Sequence, residues 1–341
     1  MNIQNKIQAL ISQDLSLEDQ IEIIKNLNTH KYDPKVLFEL VSELLKQAVL
    51  INLSGNMGDS KNILDVVGTG GDGFNTLNFS TLTSLVLASG NIPIAKHGNK
   101  SSTSKTGSFD LLEKLKIPIP KDPQEAQVLF KKFGIVFLFA PYFHPVFKKI
   151  KPARDYFANV LGEKTIFNLL GPLLNPARVK KILLGVSEEK LIEPFSEVLV
   201  KLGIEQGCVV HGSGLDEFNI YGESKFAEIK AGKIKLNYFD FKKYAGEKSS
   251  EDILKNIENL KGGDPDQNAQ ESIELLEGRL LGPKRDMVIL NTAAALRVFY
   301  EFENSLHGYF KSWPWALEKA EKLLDQKNAL SRFPPLSDLS A

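Results

Sequence analysis

The chain has 341 residues, 42 Lys and Arg against 42 Asp and Glu, 43% hydrophobic residues and one cysteine. Its length and apolar content exclude a disulfide-stapled mini-protein and a disordered chain, and suit about two domains. Zero net charge disfavours a nucleic-acid coat, which needs surplus cations, and the lone Cys208 excludes an intrachain disulfide or a cysteine-cluster zinc site.

Helix-period apolar residues (Ile7, Leu10, Ile11; Ile21, Ile24, Leu27; Val36, Leu37, Leu40, Val41, Leu44, Leu45) predict an all-helical leader over residues 1 to about 60. The texture then changes. ILDVV at 63–67 reads as a buried strand, GTGGDG as a tight turn, STLTSLVLAS as a helix ending at Gly90, and IPIA at 92–95 as a second strand: a βαβ unit. Strand-like runs recur at 134–140, 180–186 and 207–210 between helical stretches. An α/β fold with a mostly parallel sheet is therefore expected, extended by a hairpin in FAEIKAGKIKLNYFDF. Cys208 falls in one of these runs and reads as a buried thiol. GGDPDQN at 262–268 reads as a surface loop. The first 20 residues show no basic segment followed by an apolar one, so no secretory leader is expected. Apolar runs such as 134–141 fall far short of the roughly 20 residues needed to span a bilayer, and the cytoplasm is the expected location.

Four stretches carry chemistry. Gly68, Gly70, Gly71 and Gly73 follow a strand directly; such a backbone can turn its N–H groups toward an anion, and the next helix adds a favourable dipole. A phosphate cradle is the functional reading and a bare tight turn the structural one. The glycines also match G-x-G-x-x-G, but a dinucleotide site needs an acid about 20 residues on, where Ala95, Lys96 and His97 stand instead. KHGNKSSTSKTGS at 96–108 offers lysines, hydroxyls and amides to phosphate oxygens before a helix opening at Ser108, or is a flexible polar loop; Asn99 in place of glycine excludes a Walker A motif. Arg154 is a candidate carboxylate clamp through its bidentate fork, or a solvated arginine at a helix end. Adjacent Asp216 and Glu217 can hold Mg²⁺ or cap a helix start. His97, His144 and His211 are each expected at a strand end, without metal-ligand spacing, and no G-x-S-x-G elbow occurs.

GTGGDG at 68–73, N-x-S-T at 78–81, KHGN at 96–99, GS-x-D-x-LE at 107–113, HP at 144–145, TIFNLLGPLLNPA at 165–177 and LDE at 215–217 occur in an order that resembles the anthranilate phosphoribosyltransferase family, over most of the chain. The resemblance implies a small helical domain at 1–62, with a further helical contribution from about 165–180, and a larger α/β domain at 63–341 of the nucleoside phosphorylase/phosphoribosyltransferase type, in a homodimer. It implies transfer of the 5-phosphoribosyl group from phosphoribosyl pyrophosphate to the amine of anthranilate, in tryptophan biosynthesis, with Mg²⁺ as cofactor and no side chain acting as general acid or base. No nucleic acid or membrane partner is implied.

Carried over by position, the residues that surround the donor are Gly68, Gly71, Asp72, Thr76, Asn78, Phe79, Ser80, Thr81, Lys96, His97, Gly98, Asn99, Lys100, Ser101, Ser102, Thr103, Ser104 and Ser108. Lys96 would add electrostatic support, with Lys100 and Lys105 nearby; Gly68, Asn99 and Arg154 would face anthranilate, and Ser80, Asp216 and Glu217 would serve Mg²⁺. Lys100 stands where the family usually has Arg, Phe109 and Lys116 replace small residues, and 155–164 is about four residues longer than usual. Two alternatives share the architecture. The KHGN and NLLGPLLNPA stretches speak against a pyrimidine nucleoside phosphorylase, and the neutral charge with Asp216 and Glu217 speaks against a non-catalytic nucleic-acid-binding relative.

Overall fold

The computed structural model describes residues 3–12, 14–53, 62–100, 106–245, 256–300 and 312–333. The leader forms α1 (Ile3–Ser12), α2 (Leu17–Asn28) and α3 (Pro34–Lys46). Ser16 starts α2 by accepting the Asp19 amide at 3.1 Å, and Asp33 starts α3 by accepting the Lys35 amide at 2.9 Å ahead of a first-turn proline. The periodic positions Ile7, Leu10, Ile24, Leu27, Leu37, Leu40 and Leu44 are all buried, each such side chain contributing roughly 1.5–3 kcal/mol.

Seven strands form one sheet in the order β3-β2-β1-β4-β5-β6-β7. They are β1 (Leu64–Gly68), β2 (Ile94–Gly98), β3 (Ile135–Phe139), β4 (Lys181–Gly185), β5 (Gln206–Gly212), β6 (Glu223–Lys230) and β7 (Lys233–Asp240). The first five are parallel, and β6 and β7 are the expected antiparallel hairpin. From β1 the chain builds outward to β2 and β3, then returns to lay β4 on the other side of β1. That reversal is a switch point, where an open α/β sheet leaves a crevice beyond its strand ends. Gly68 and Gly185, the last residues of β1 and β4, are direct neighbours there.

The connecting helices are α4 (Phe79–Ser89), α5 (Ser108–Lys114), α6 (Pro123–Phe133), a single turn α7 (Ala140–Phe143), α8 (Phe147–Tyr156), α9 (Ile192–Lys201), α10 (Pro265–Leu276), α11 (Pro283–Phe299) and α12 (Trp313–Asp325). Strand alternation divides them between two faces. Val66, Leu183 and Val210 pack toward α4, α11 and α12, whereas Val67, Leu184 and Val209 share a cluster with α1–α3, α8 and α9. The leader thus closes one face of the sheet instead of keeping a core to itself.

Several expectations change. The second strand is Ile94–Gly98, not 92–95, because Pro93 has no amide and pairing starts where Ile94 meets Ile135. Lys96 and His97 therefore lie inside a strand. His144 is not at a strand end, since α7 intervenes after β3. No helix follows Asp216 and Glu217; the next element is β6. Residues 157–161 form a π-helical turn (Phe157–Leu161) that ends on left-handed Gly162, and two 3-10 turns follow at Ile166–Asn168 and Gly171–Leu173. Among the described residues no helix is long and apolar enough to cross a membrane.

Candidate active site

The Gly-rich loop leaves β1 at the switch point. Gly70, Gly71, Gly73 and Asn75 all have positive φ, a region glycine enters without a Cβ penalty. The loop is pinned at its base. Thr69 donates its amide to the Gly185 carbonyl at 3.0 Å, and its Oγ1 accepts the Ser187 amide at 3.0 Å. Gly70 donates its amide to Asp216 Oδ2 at 2.7 Å. Among the described residues the amides of Gly71, Asp72 and Gly73 have no protein acceptor, which leaves them to an anion.

Asp216 and Glu217 are fixed from both sides. His211 Nδ1–H donates to the Val186 carbonyl at 2.8 Å, and Nε2 accepts the Gly214 amide at 3.1 Å, which sets a neutral tautomer and holds the Ser213–Gly214 turn. Beyond the pair, Phe218 donates its amide to Asn291 Oδ1 at 2.9 Å. Burial and the neighbouring Asp72 carboxylate push Asp216 up to about 7. Burial and Asp216 push Glu217 well above the usual carboxylate range, against the pull of Lys96 and the Ser80 amide.

Lys96 answers that charge from below. It is 2% exposed; its ammonium donates to the Val66 carbonyl and, at 3.1 Å, to Ser80 Oγ, and it faces Asp65, Glu217 and Asp216. Burial lowers its pKa while the three carboxylates raise it. Of the two lysines expected nearby, Lys100 pairs with Glu113 at 2.8 Å, and Lys105 lies outside the described residues.

The other donor candidates separate by burial. Ser80 lies in the first turn of α4 beside Lys96, and Asn78, at the N-cap position but without a capping hydrogen bond, donates its side-chain amide to the Thr106 carbonyl at 3.1 Å. The side chains of Phe79 and Thr81 are fully buried, and their amides donate to the Leu77 carbonyl at 2.6 Å and the Asn78 carbonyl at 3.0 Å. Thr76 pairs with Lys261 as a β-bridge. Ser108 Oγ donates to the Asn99 carbonyl at 3.1 Å, and a Cβ at Gly98 would lie 2.8 Å from that Oγ, so Gly98, Asn99 and Ser108 form one corner. Ser101, Ser102, Thr103 and Ser104 lie outside the described residues. GGDPDQN is more than a surface connection: Gly262 donates to the Asn75 carbonyl at 2.9 Å, Gly263 accepts from Thr106 Oγ1 at 3.1 Å, and Asn268 reaches Asn78 Oδ1 at 3.4 Å. Paired glycines before an Asp-Pro helix start were the only local trace of this support.

On the leader side, His97 Nδ1–H donates to the Gly171 carbonyl at 3.1 Å, and its ring meets that of His144 at 5.1 Å. His144 lies 6.1 Å from the Phe147 ring, over which the Arg154 guanidinium sits at 5.4 Å. Arg154 is half-buried, and its Nε is buried with no hydrogen-bond partner. A partly desolvated guanidinium with a free Nε over an aromatic face has the chemistry to pair with a carboxylate, and its burial disfavours the solvated-arginine reading. Burial holds His97 down to about 3, with the His144 ring adding to this, and holds His144 down to about 4. Sequence reasoning missed Asp65, which is fully buried and accepts Asn175 Nδ2 at 2.7 Å; Asn175 also donates to the Ala95 carbonyl at 2.8 Å. An acid in a strand run carries no local signal of such a partner.

The profile of the glycosyl transferase family, a/b domain, matches residues 60–330. The chain is 39% identical over 280 residues to the anthranilate phosphoribosyltransferase of Methanosarcina acetivorans, covering 82% of this chain and 70% of the relative. It is 36% identical to that of Ruminiclostridium cellulolyticum across 97% of this chain and 96% of the relative. Among solved structures, anthranilate phosphoribosyltransferase from Thermus thermophilus superposes with a TM-score of 0.75 at 30% identity, covering 97% of both chains. The Saccharomyces cerevisiae enzyme in complex with PRPP and Mg superposes with a TM-score of 0.79 at 26% identity, covering 97% of this chain and 89% of the other.

Proposed function

We infer that this chain, which belongs to the anthranilate phosphoribosyltransferase family, transfers the 5-phosphoribosyl group from phosphoribosyl pyrophosphate to the amine of anthranilate and releases pyrophosphate. One observation carries the reading to these residues: a left-handed glycine loop at the switch point keeps three amides for an anion while a fourth, Gly70, holds Asp216 beside them. The relatives' names give no support to a nucleoside phosphorylase or a nucleic-acid binder.

An aromatic amine is neutral near pH 7 and needs no strong base; the barrier lies in departure of a charged diphosphate from a ribosyl centre that gains positive charge. Loop amides of Gly71, Asp72 and Gly73 take the diphosphate, with Ser80, Asn78 and the Asn99–Ser108 corner ordering the rest of the donor. Arg154 binds the anthranilate carboxylate and Asn99 orients its ring. Lys96 acts one layer down, holding Ser80 and moderating the charge of Asp216 and Glu217.

Burial raises the proton affinity of Asp216 and Glu217, with Asp72 adding to it at both and Asp216 at Glu217, a donor set that fits a hard oxygen-seeking cation. Among the described residues no group of three or more such side chains forms a cage, so Asp216, Glu217 and Ser80 would hold Mg²⁺ together with phosphate oxygens and water. Bound there, Mg²⁺ supplies neutralisation of the leaving diphosphate. The reading also includes a helical domain at 1–62 with 63–341 as the α/β domain, a homodimer and a cytoplasmic location; the buried free thiol of Cys208 and the exposed Leu17, Val49 and Leu50 of the leader support the last two.

Mixing the protein with anthranilate, phosphoribosyl pyrophosphate and Mg²⁺ should quench anthranilate fluorescence at a rate proportional to protein. No quenching over a wide protein range sinks the reading.

A further inference from the structure

The lengthened segment after Arg154 ends at the phosphate loop. α8 packs on α2, the π-helical turn follows, and Gly162 (φ 66) turns the chain back. The residues just beyond are tied down: the Ile166 amide donates to Asn28 Oδ1 of α2 at 2.7 Å, and Asn168 Oδ1 accepts the Thr165 amide at 2.8 Å. From this anchored base Lys164 extends to the Gly-rich loop, where its Nζ donates to the Gly71 carbonyl at 2.8 Å. The same Nζ lies 2.8 Å from where a Cβ on Gly71 would stand. Among the described residues Lys164 has no carboxylate partner, and the carbonyl occupies one of its three donors.

We propose that Lys164 is a further donor-binding residue, whose ammonium pairs with the diphosphate that the amides of Gly71, Asp72 and Gly73 receive. An exposed lysine gains little by holding a backbone carbonyl, because it must order a long side chain to do so. Three amides without a protein acceptor, beside an ammonium with a single carbonyl for its three donors, are instead a surplus of donors at one spot, which an anion resolves. Lys164 thereby links the segment anchored on α2 to the donor site at the Gly-rich loop. The proposal rests on the phosphoribosyl reading of the same site.

The test is calorimetric binding of inorganic diphosphate with Mg²⁺, together with steady-state kinetics, for the wild type, K164A and K164R. K164A should weaken diphosphate binding and raise the KM for phosphoribosyl pyrophosphate by roughly tenfold, with the KM for anthranilate within about twofold, and K164R should recover most of the loss. Unchanged diphosphate affinity in K164A, or an equal rise in both KM values, overturns the proposal. The two readings separate: a wild type that turns over normally beside an unimpaired K164A removes Lys164 alone. Lys164-dependent diphosphate binding by a wild type without turnover removes the transferase reading and keeps the anion site.

Discussion

The carboxylate of Asp216 fills the space that a side chain on Gly68 would need: a Cβ there would lie 2.2 Å from Asp216 Oδ2. Gly185, next to Gly68 in the sheet, is under the same constraint, since its Cβ would lie 1.6 Å from the Asp216 carbonyl oxygen. Glycine at both strand ends is what lets the acidic loop dock on the switch point. Gly68→Ala should therefore cost about 1–3 kcal/mol of stability through overpacking and lower kcat by displacing Asp216 from the Gly70 amide. Melting and turnover of the variant check this; full kcat would show that the close approach is dispensable.

Asp216→Asn and Glu217→Gln each remove a carboxylate that can ionise onto a cation, with little change of volume. Turnover should fall on the order of 100-fold or more, and the Mg²⁺ concentration for half-activity should rise. Chelation should abolish wild-type activity and added Mg²⁺ restore it. An unaltered Mg²⁺ titration in both variants would remove these residues as ligands.

Arg154→Ala deletes the guanidinium over Phe147 and should raise the KM for anthranilate on the order of 30-fold or more, with the donor KM nearly unchanged. Equal rises would mean that the guanidinium serves the architecture of α8 and not the acceptor.

His144 should make the protein acid-sensitive. Its folded pKa, about 4, lies below the ordinary 6.5, so between those values the unfolded chain binds a proton that the folded one refuses. Its contribution is complete above pH 6.5 and shrinks as pH falls toward 4; His97, held at about 3, acts in the same direction. Asp65, raised to about 6, and Asp216, raised to about 7, act oppositely, so the wild-type curve alone is ambiguous. In His144→Asn the slope of unfolding free energy against pH between about 4.5 and 6 should lose about one proton, or ~1.4 kcal/mol per pH unit. Denaturant unfolding across that range checks it; identical slopes would refute it.

Much was legible without coordinates. The apolar rhythm of 1 to about 60, seen as helix as far as Lys46, the β-hairpin around Ala231 and Gly232, the glycines after β1 and the Asp216–Glu217 pair are local patterns, and local backbone chemistry decides them. The reading of Lys96 needed strand register, because a slip of the strand start from 92 to 94 moved it from a loop onto the sheet. Phe79 and Thr81 belong to the N-x-S-T motif, yet their side chains fill the core while Ser80 between them meets Lys96, a division that residue type does not reveal.

By itself the chain determined which segments become helix or strand and which carry anion-binding chemistry, since those depend on neighbours within a turn or two. Tertiary structure alone decided which of them meet. Gly70 and Asp216 are 146 residues apart, Asp65 and Asn175 110, and Gly71 and Lys164 93. Each meeting follows from strand order, and strand order is set by burying two apolar faces of one sheet at once, a condition on the whole chain that no short stretch of residues contains.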